Sequence, residues 1–180
     1  DRTIEIAKEA GAVVVEQEWL GYAKQKNWAL DNVDLQADWI FFLDADEAIL
    51  PELQKELVSI ASSPVDEVKE SAFNINRYFI FLGKRIRHCG YYPSWNVRFF
   101  KKGKARYEHR EVHEHMLVDG KIGKLKGHME HNDRRGLEVY LSKYNLYSTL
   151  EAKEIIDQTK NDEHTIKAKL FGDVQERRRW

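Results

Sequence analysis

Residues 43–47, Leu-Asp-Ala-Asp-Glu, carry the strongest chemical signal in the sequence. The acidic residues directly follow the apolar run of residues 39–43, which favours a buried strand. Open α/β sheets bind ligands beyond the carboxyl ends of their strands. Two carboxylates one residue apart can both reach a hard divalent cation, whose other ligands are commonly phosphate oxygens and water. The spacing therefore predicts that Asp44 and Asp46 bind Mg²⁺ or Mn²⁺. The alternative is a solvated acidic loop before a helix that begins at Pro51.

The elements around this motif alternate between helix and strand. Helical spacing followed by an apolar β-branched run predicts a helix over residues 3–10 and a buried strand over 12–15. A second unit comprises a helix over 21–33 and a strand over 38–43, of the kind found in parallel sheets. Pro51 suits the first turn of a third helix, which ends near residue 61. The first third of the chain therefore has an α/β pattern.

The second half of the chain changes to the period-two alternation of antiparallel strands, most clearly over residues 72–80. The Asp119-Gly120 dipeptide predicts a hairpin in which residues 112–118 pair with residues 121–125. A last helix is predicted from about Gly136. Its apolar side chains fall on one face: Leu137, Tyr140, Leu141, Tyr144 and Tyr147. The three tyrosines are expected to pack the helix onto the sheet.

The overall composition is that of one globular domain. The 180 residues are 42% apolar and 33% charged, with a formal net charge of −1, which gives no general bias towards nucleic acid. Cys89 is the only cysteine, so no internal disulfide can form, and a cytoplasmic location is expected. The longest apolar run is much shorter than the roughly 20 residues of a membrane-spanning helix.

Short motifs along the chain carry a family resemblance when they are taken together. In the first half they are Asp1-Arg2-Thr3, Gly21, Lys26-Asn27 and residues 38–47; in the second half they are residues 83–88, 96–100, 112–114, 120–123, His131 and 140–152. This set resembles family 2 of the inverting nucleotide-sugar glycosyltransferases. It is most similar to the branch that contains bacterial lipooligosaccharide and lipopolysaccharide core β-glucosyltransferases. The resemblance covers about residues 1–153.

The resemblance implies a GT-A-like fold, in which a Rossmann-like mixed α/β sheet is flanked by helices and followed by an antiparallel acceptor-side half and a C-terminal helix. Residues 1–180 would form one domain fragment, with part of the nucleotide-sugar-binding half in 1–61 and the acceptor-side half and last helix in 72–157. Family members begin with a strand and an acidic residue that hold the nucleotide base. This chain starts at the Asp-x-Thr end of the following loop, so we expect it to be truncated at its N-terminus.

The resemblance also implies the reaction. A hexose would move with inversion from a nucleotide sugar, expected to be a UDP-sugar, to a glycolipid or another glycan, and Asp44 and Asp46 would bind the metal that bridges the diphosphate. Lys26 and Asn27 are expected to hold the nucleotide side, although an exposed helix lysine is an equally good reading of Lys26. His131 would complete the metal sphere or touch the diphosphate; the alternative is a capping or surface histidine.

An inverting transfer needs a base that accepts the proton of the attacking hydroxyl. Residues 111–115, Glu-Val-His-Glu-His, offer carboxylates and imidazoles in strand-like alternation. Glu114 is the expected base because it matches the Val-His-Glu segment of the family, and Glu111 is the second choice. The alternative is an ordinary surface strand with alternating charge.

A local basic run contrasts with the neutral total. Residues 98–110 contain six lysines and arginines and one acid, Glu108. Arg98 lies within a strand pattern, so its guanidinium is expected to face the site and bind phosphate or carboxylate. The other cations are expected to contact a phosphorylated acceptor or the inner face of an anionic membrane; a solvated hairpin rim is the alternative.

Two other functions compete with glycosyl transfer. One is a non-catalytic fragment that self-associates through an exposed sheet edge. The other is a phosphatase of the haloacid dehalogenase kind, which also carries Asp-x-Asp after a buried strand. That motif continues to threonine or valine two residues after the second aspartate, whereas this sequence has Ala48 there.

Overall fold

The computed structural model describes residues 2–108 and 115–160, which form a mixed sheet with helices on both of its faces. The helices are α1 (Thr3–Glu9), α2 (Tyr22–Asn32), α3 (Pro51–Ala61) and α4 (Leu137–Lys160). The strands are β1 (Trp39–Phe41), β2 (Glu47–Ile49), β3 (Ala72–Phe81), β4 (Lys84–Ile86), β5 (Trp95–Lys101), β6 (Ala105–Tyr107), β7 (Met116–Val118) and β8 (Ile122–His131). The four predicted helices are confirmed, and so is the GT-A-like α/β class.

The main sheet has the order β1-β5-β3-β8-β2, with β4 added beside the end of β3. Four of its five pairings are antiparallel, but β3 and β8 run parallel, so the prediction of a purely antiparallel second half is wrong. The predicted strand over 38–43 exists as β1. It pairs antiparallel with β5 at the end of the sheet, contrary to the expected parallel setting, because β5 supplies its neighbour from the second half of the chain.

The predicted hairpin around Asp119-Gly120 is also wrong. Strand β7 pairs with β6 in a separate two-stranded sheet, whereas β8 pairs with β3 and β2. Gly120 instead carries the chain from one sheet to the other at a φ of 120°, and a Cβ atom there would overlap the Ser71 side chain. The Ser71 amide donates to the Lys121 carbonyl over 2.8 Å, so this crossing is fixed against the start of β3.

The predicted buried strand over residues 12–15 is not formed. Val13 is 88% exposed and Val15 is 49% exposed. A β-branched run becomes a strand only when a neighbouring strand accepts its backbone hydrogen bonds, and no described strand lies beside this segment.

Alternation along the strands gives the sheet one apolar core on each face. Phe100 packs with Ala23 of α2 and Met116 of β7 on one side. Its neighbour Phe99 packs with Leu53 of α3 on the other side. These two cores fix β1 and β5, and therefore the start of the loop that carries the acidic motif.

Helix α4 lies at the end of the sheet, where the Tyr140 ring contacts Phe81 at the end of β3 with ring centroids 4.9 Å apart. Leu137 and Leu141 of the same helix are exposed. In the described part of the chain no helix is both long enough and apolar enough to cross a membrane.

Candidate active site

A closed turn connects the first aspartate of the motif to Glu47, the first residue of β2. The Asp44 amide donates to Oε2 of Glu47 over 3.0 Å, and the Glu47 amide donates to the Asp44 carbonyl over 2.9 Å. The Glu47 side chain has no exposed surface. Both ends of the turn are therefore held, and Ala45 and Asp46 form its tip.

Three cations surround this turn. Nη2 of Arg98 lies 2.8 Å from Oδ2 of Asp44 and 2.8 Å from Oε1 of Glu47, so one guanidinium nitrogen joins the two acids. Nζ of Lys26 lies 3.1 Å from Oδ1 of Asp44, and Nη1 of Arg77 lies 3.2 Å from Oε1 of Glu47. Burial favours the neutral form of Asp44, but Arg98 and Lys26 outweigh it and hold the pKa of the Asp44 carboxyl below its ordinary value. Asp44 is thus an ionised counterion with both oxygens engaged.

Asp46 has a different partner. Its Oδ2 lies 3.1 Å from Nε2 of His131, and its carbonyl accepts a hydrogen bond from the Asn132 amide over 2.8 Å. The β2–β8 pairing sets this arrangement because Glu47 lies directly opposite His131. The hydrogen bond from His131 outweighs the opposing effect of burial and lowers the pKa of Asp46. Nδ1 of His131 is buried and has no hydrogen-bond partner among the described residues.

The acidic turn opens into a cleft of about 1750 Å³. On one part of its wall the Lys26 ammonium lies over the Tyr107 ring, 4.9 Å from its centroid. On another part the Tyr91 hydroxyl lies 3.3 Å from that of Tyr140 and 3.2 Å from that of Tyr144. A row of rings joins this group of hydroxyls to the acidic turn, because Phe79 stacks on Tyr91 at 4.7 Å and on His131 at 5.3 Å between centroids.

The donor atoms of Asp46 and His131 fit a shared divalent cation. Adjacent ligands of an octahedral ion with bonds of 2.0–2.1 Å lie about 2.8–3.0 Å apart. Oδ2 and Nε2 are hydrogen-bonded at 3.1 Å, so a cation that replaced the shared proton would need only a small shift of the two side chains. Carboxylate and imidazole together suit Mn²⁺ better than Mg²⁺. Asp44 fits less well because both of its oxygens already bind cations. No cluster of three protein ligands exists in the described ranges, so a cation here would take further ligands from substrate and water.

The other residues predicted from the sequence differ in where they lie relative to the cleft. Asn27 does not line the cleft: its amide donates to the Tyr107 carbonyl and accepts from the Tyr107 amide, both over 2.9 Å. The Asn27 amide therefore anchors β6 to α2. The expectation that Asn27 helps to hold the nucleotide side stays a prediction. Glu111 and Glu114 lie outside the described residues. His115, the next residue after Glu114, lines the cleft.

The basic run is partly neutralised. Arg98 faces the acidic turn, as expected. Lys104 pairs with Asp119 over 2.6 Å, and Arg106 pairs with Asp31 over 2.7 Å. The ammonium groups of the other two lysines donate to backbone carbonyls, Lys101 to Val68 and Lys102 to Leu35.

Two residues around the acidic turn escaped the sequence reasoning. Glu47 was visible as part of the motif, but nothing local distinguished a buried ion-paired glutamate from a solvated one. Arg77 belongs to an alternating strand, and an arginine in such a pattern predicts no particular partner. The contact between Arg77 and Glu47 depends on the β3–β8–β2 order.

The sheet, the acidic turn at the edge of a cleft and the sequence itself agree on one class: the chain belongs to glycosyl transferase family 2, whose model matches residues 1–116. Among individual proteins, it is similar to uncharacterized glycosyltransferases of Rickettsia typhi and Rickettsia prowazekii, each 31% identical over 169 residues. These matches cover 89% of this chain and 57% of each relative. One from Rickettsia felis is 30% identical over 171 residues, which is 89% of this chain and 59% of that protein. The chain thus spans little more than half the length of these relatives.

Proposed function

We propose that the protein transfers a sugar, with inversion, from a nucleotide-sugar donor to a glycan or glycolipid acceptor in this cleft. The observation that carries the proposal is the Asp46–His131 pair, which lies beside an Asp44 whose two oxygens are already ion-paired with Lys26 and Arg98. This pair would supply two ligands to a metal ion at the edge of the cleft. Family membership supports the same class of reaction.

At the donor end, Asp46 and His131 would hold Mg²⁺ or Mn²⁺. When bound there, the ion supplies Lewis-acid stabilisation of the leaving diphosphate. Lys26 is a partly exposed cation at the same end of the cleft, so it can move from Asp44 to a donor phosphate. Arg98 is held by two acids and is buried, which suits it to orient Asp44 rather than to bind the donor itself.

We propose Glu114 as the base, with Glu111 as the second choice. The attacking hydroxyl must lose its proton on the face of the sugar opposite to the leaving group. The resemblance of residues 112–114 to the Val-His-Glu segment of the family supports this choice. A carboxylate at Glu114 would then act from the acceptor side of the cleft.

The acceptor is proposed to bind at the end of the cleft formed by Tyr91, Tyr140 and Tyr144. Three hydroxyls and neighbouring ring edges provide hydrogen bonds and apolar contact, the combination that a sugar ring requires. The resemblance favours a lipopolysaccharide-type glycolipid. The Lys101 and Lys102 ammonium groups donate to neutral backbone carbonyls and not to carboxylates. We therefore propose these two residues for peripheral contact with an anionic membrane.

Thermal melting with Mn²⁺ and a panel of nucleotide sugars tests the proposal. A ligand at one hundred times its dissociation constant adds about 2.7 kcal/mol to the free energy of unfolding, so the correct donor should raise Tm clearly. Stabilisation by one nucleotide sugar that requires Mn²⁺ supports the proposal. Hydrolysis of a generic phosphomonoester would instead favour the phosphatase, which the family match does not favour. Absence of any donor response would favour a non-catalytic role.

A further inference from the structure

The buried carboxylate of Glu47 contacts the Asp44 backbone and the Arg98 side chain, but it does not contact Asp46 at the tip of the acidic turn. Its Oε2 accepts from the Asp44 amide, and its Oε1 accepts from Arg98, which also donates to Asp44. Its backbone lies opposite His131 in the β2–β8 pairing. One residue therefore contacts the Asp44 backbone, shares the cation of the Asp44 side chain and sets the register of the Asp46 partner.

We propose that Glu47 is a positioning residue that fixes the two aspartates in different roles, with Asp44 held on Lys26 and Arg98 while Asp46 faces His131. This inference rests on the proposed metal site. A fully buried carboxylate with two arginine partners is costly to desolvate. Apolar side chains of similar volume in place of such ion pairs commonly give equal or greater fold stability. Its geometric constraint on Asp44 gives it a role that apolar packing would not supply.

Two variants separate the effect of the Glu47 contacts on the turn from the effect of its negative charge. Glu47→Gln keeps the size of the side chain but makes the net charge of the turn more positive by one unit. The double variant Glu47→Gln/Arg77→Gln restores the original net charge without restoring the clamp. It also removes the Arg77 charge that the single variant leaves without its carboxylate, so it should stay folded if the single variant does not. Glu130→Gln is the matched control, because Glu130 is a cleft acid that pairs with Arg85 away from the turn.

The first measurement is Mn²⁺ binding, without donor or acceptor, followed by electron paramagnetic resonance. Supporting groups of a metal ligand typically contribute 10- to 100-fold to affinity, so Glu47→Gln should weaken binding by about that factor. The double variant should remain equally weak. Glu130→Gln should stay within about twofold of wild type, because the Glu130 side chain pairs with Arg85 and not with a residue of the acidic turn. Wild-type affinity in the double variant would mean that Glu47 acts through charge alone, and this would overturn the proposal.

The second measurement needs no metal. Hydrogen exchange at the Asp44 amide should be several-fold faster in Glu47→Ala than in wild type, since the acceptor on that amide is lost. Glu130→Gln should leave it unchanged. Unchanged exchange in Glu47→Ala overturns the clamp. If wild type binds no Mn²⁺ while this exchange result holds, the metal proposal fails and the clamp on Asp44 stands.

Discussion

Nε2 of His131 lies 3.1 Å from Oδ2 of Asp46, although the two residues are 85 positions apart in the sequence. The contact exists because β2 and β8 pair in the register that sets Glu47 against His131. Asp44, two residues before Asp46, faces Lys26 and Arg98 instead. The acidic motif is therefore asymmetric, and the two aspartates should respond differently to mutation.

Glu114→Gln should lower turnover by roughly 10² to 10⁴ because the amide keeps the shape of the side chain and loses its basicity. Donor affinity should be nearly unchanged, since the base acts on the acceptor hydroxyl. Steady-state kinetics with donor titration at saturating acceptor check both values. Near-normal turnover would move the assignment to Glu111 or His113.

Removing single hydroxyls at the far end of the cleft tests the acceptor site. Tyr91→Phe and Tyr144→Phe keep the rings and their packing, and each should raise the KM for acceptor several-fold while leaving the KM for donor unchanged. Tyr78→Phe is the control, because Tyr78 stacks on His128 outside the cleft. A lower Tm with unchanged acceptor kinetics would show that the tyrosines only attach α4.

Local sequence patterns predicted the positions of the helices and strands well, but they predicted poorly which strands pair with each other. Pro51 and the spacing after it were sufficient to predict α3, and alternation from Ala72 was sufficient to predict β3. Period-two alternation shows which side chains share a face, but it does not name the adjacent strand. The parallel β3–β8 pair and the separate β6–β7 pair depend on contacts distant in sequence.

The same limit applies to the site. Asp44 and Asp46 were found because their spacing and their place after an apolar run are local features. Arg98 was expected to face the site because apolar residues flank it in a strand. The buried Glu47 and its partner Arg77 were not predictable, because that pairing requires β3 and β2 to lie on either side of β8.

Gly127→Ala should destabilise the fold. A Cβ atom at this position would overlap the backbone of Leu53, so α3 would have to shift away from β8. Overpacking of this kind typically costs 1–3 kcal/mol, which corresponds to a fall in Tm of about 2–4 °C per kcal/mol in a domain of this size. Differential scanning calorimetry measures it, with Ser59→Ala on the same helix as control. An unchanged Tm would mean that α3 is not seated on Gly127.

Neutralising Lys101, Lys102 and Lys104 together should reduce co-sedimentation with anionic vesicles. Each cation near such a surface contributes roughly 1 kcal/mol, although Lys104 should contribute less because it already pairs with Asp119. Binding by wild type should fall as salt is raised, since charges are screened over about 8 Å at physiological ionic strength. Binding that is insensitive to salt and to the triple variant would exclude an electrostatic membrane contact through these lysines.

The most direct test of the account is the rate of Mn²⁺-dependent nucleoside diphosphate release from nucleotide sugars by wild type, Asp46→Asn and Asp44→Asn. Asp46→Asn should lose at least about 10²-fold in kcat/KM, and excess chelator should have the same effect on wild type. Asp44→Asn should lose less activity but more thermal stability, because it leaves the buried Arg98 with Glu47 and removes the partner of Lys26. Wild-type release that survives in Asp46→Asn or in excess chelator would contradict metal-assisted transfer at Asp46 and His131.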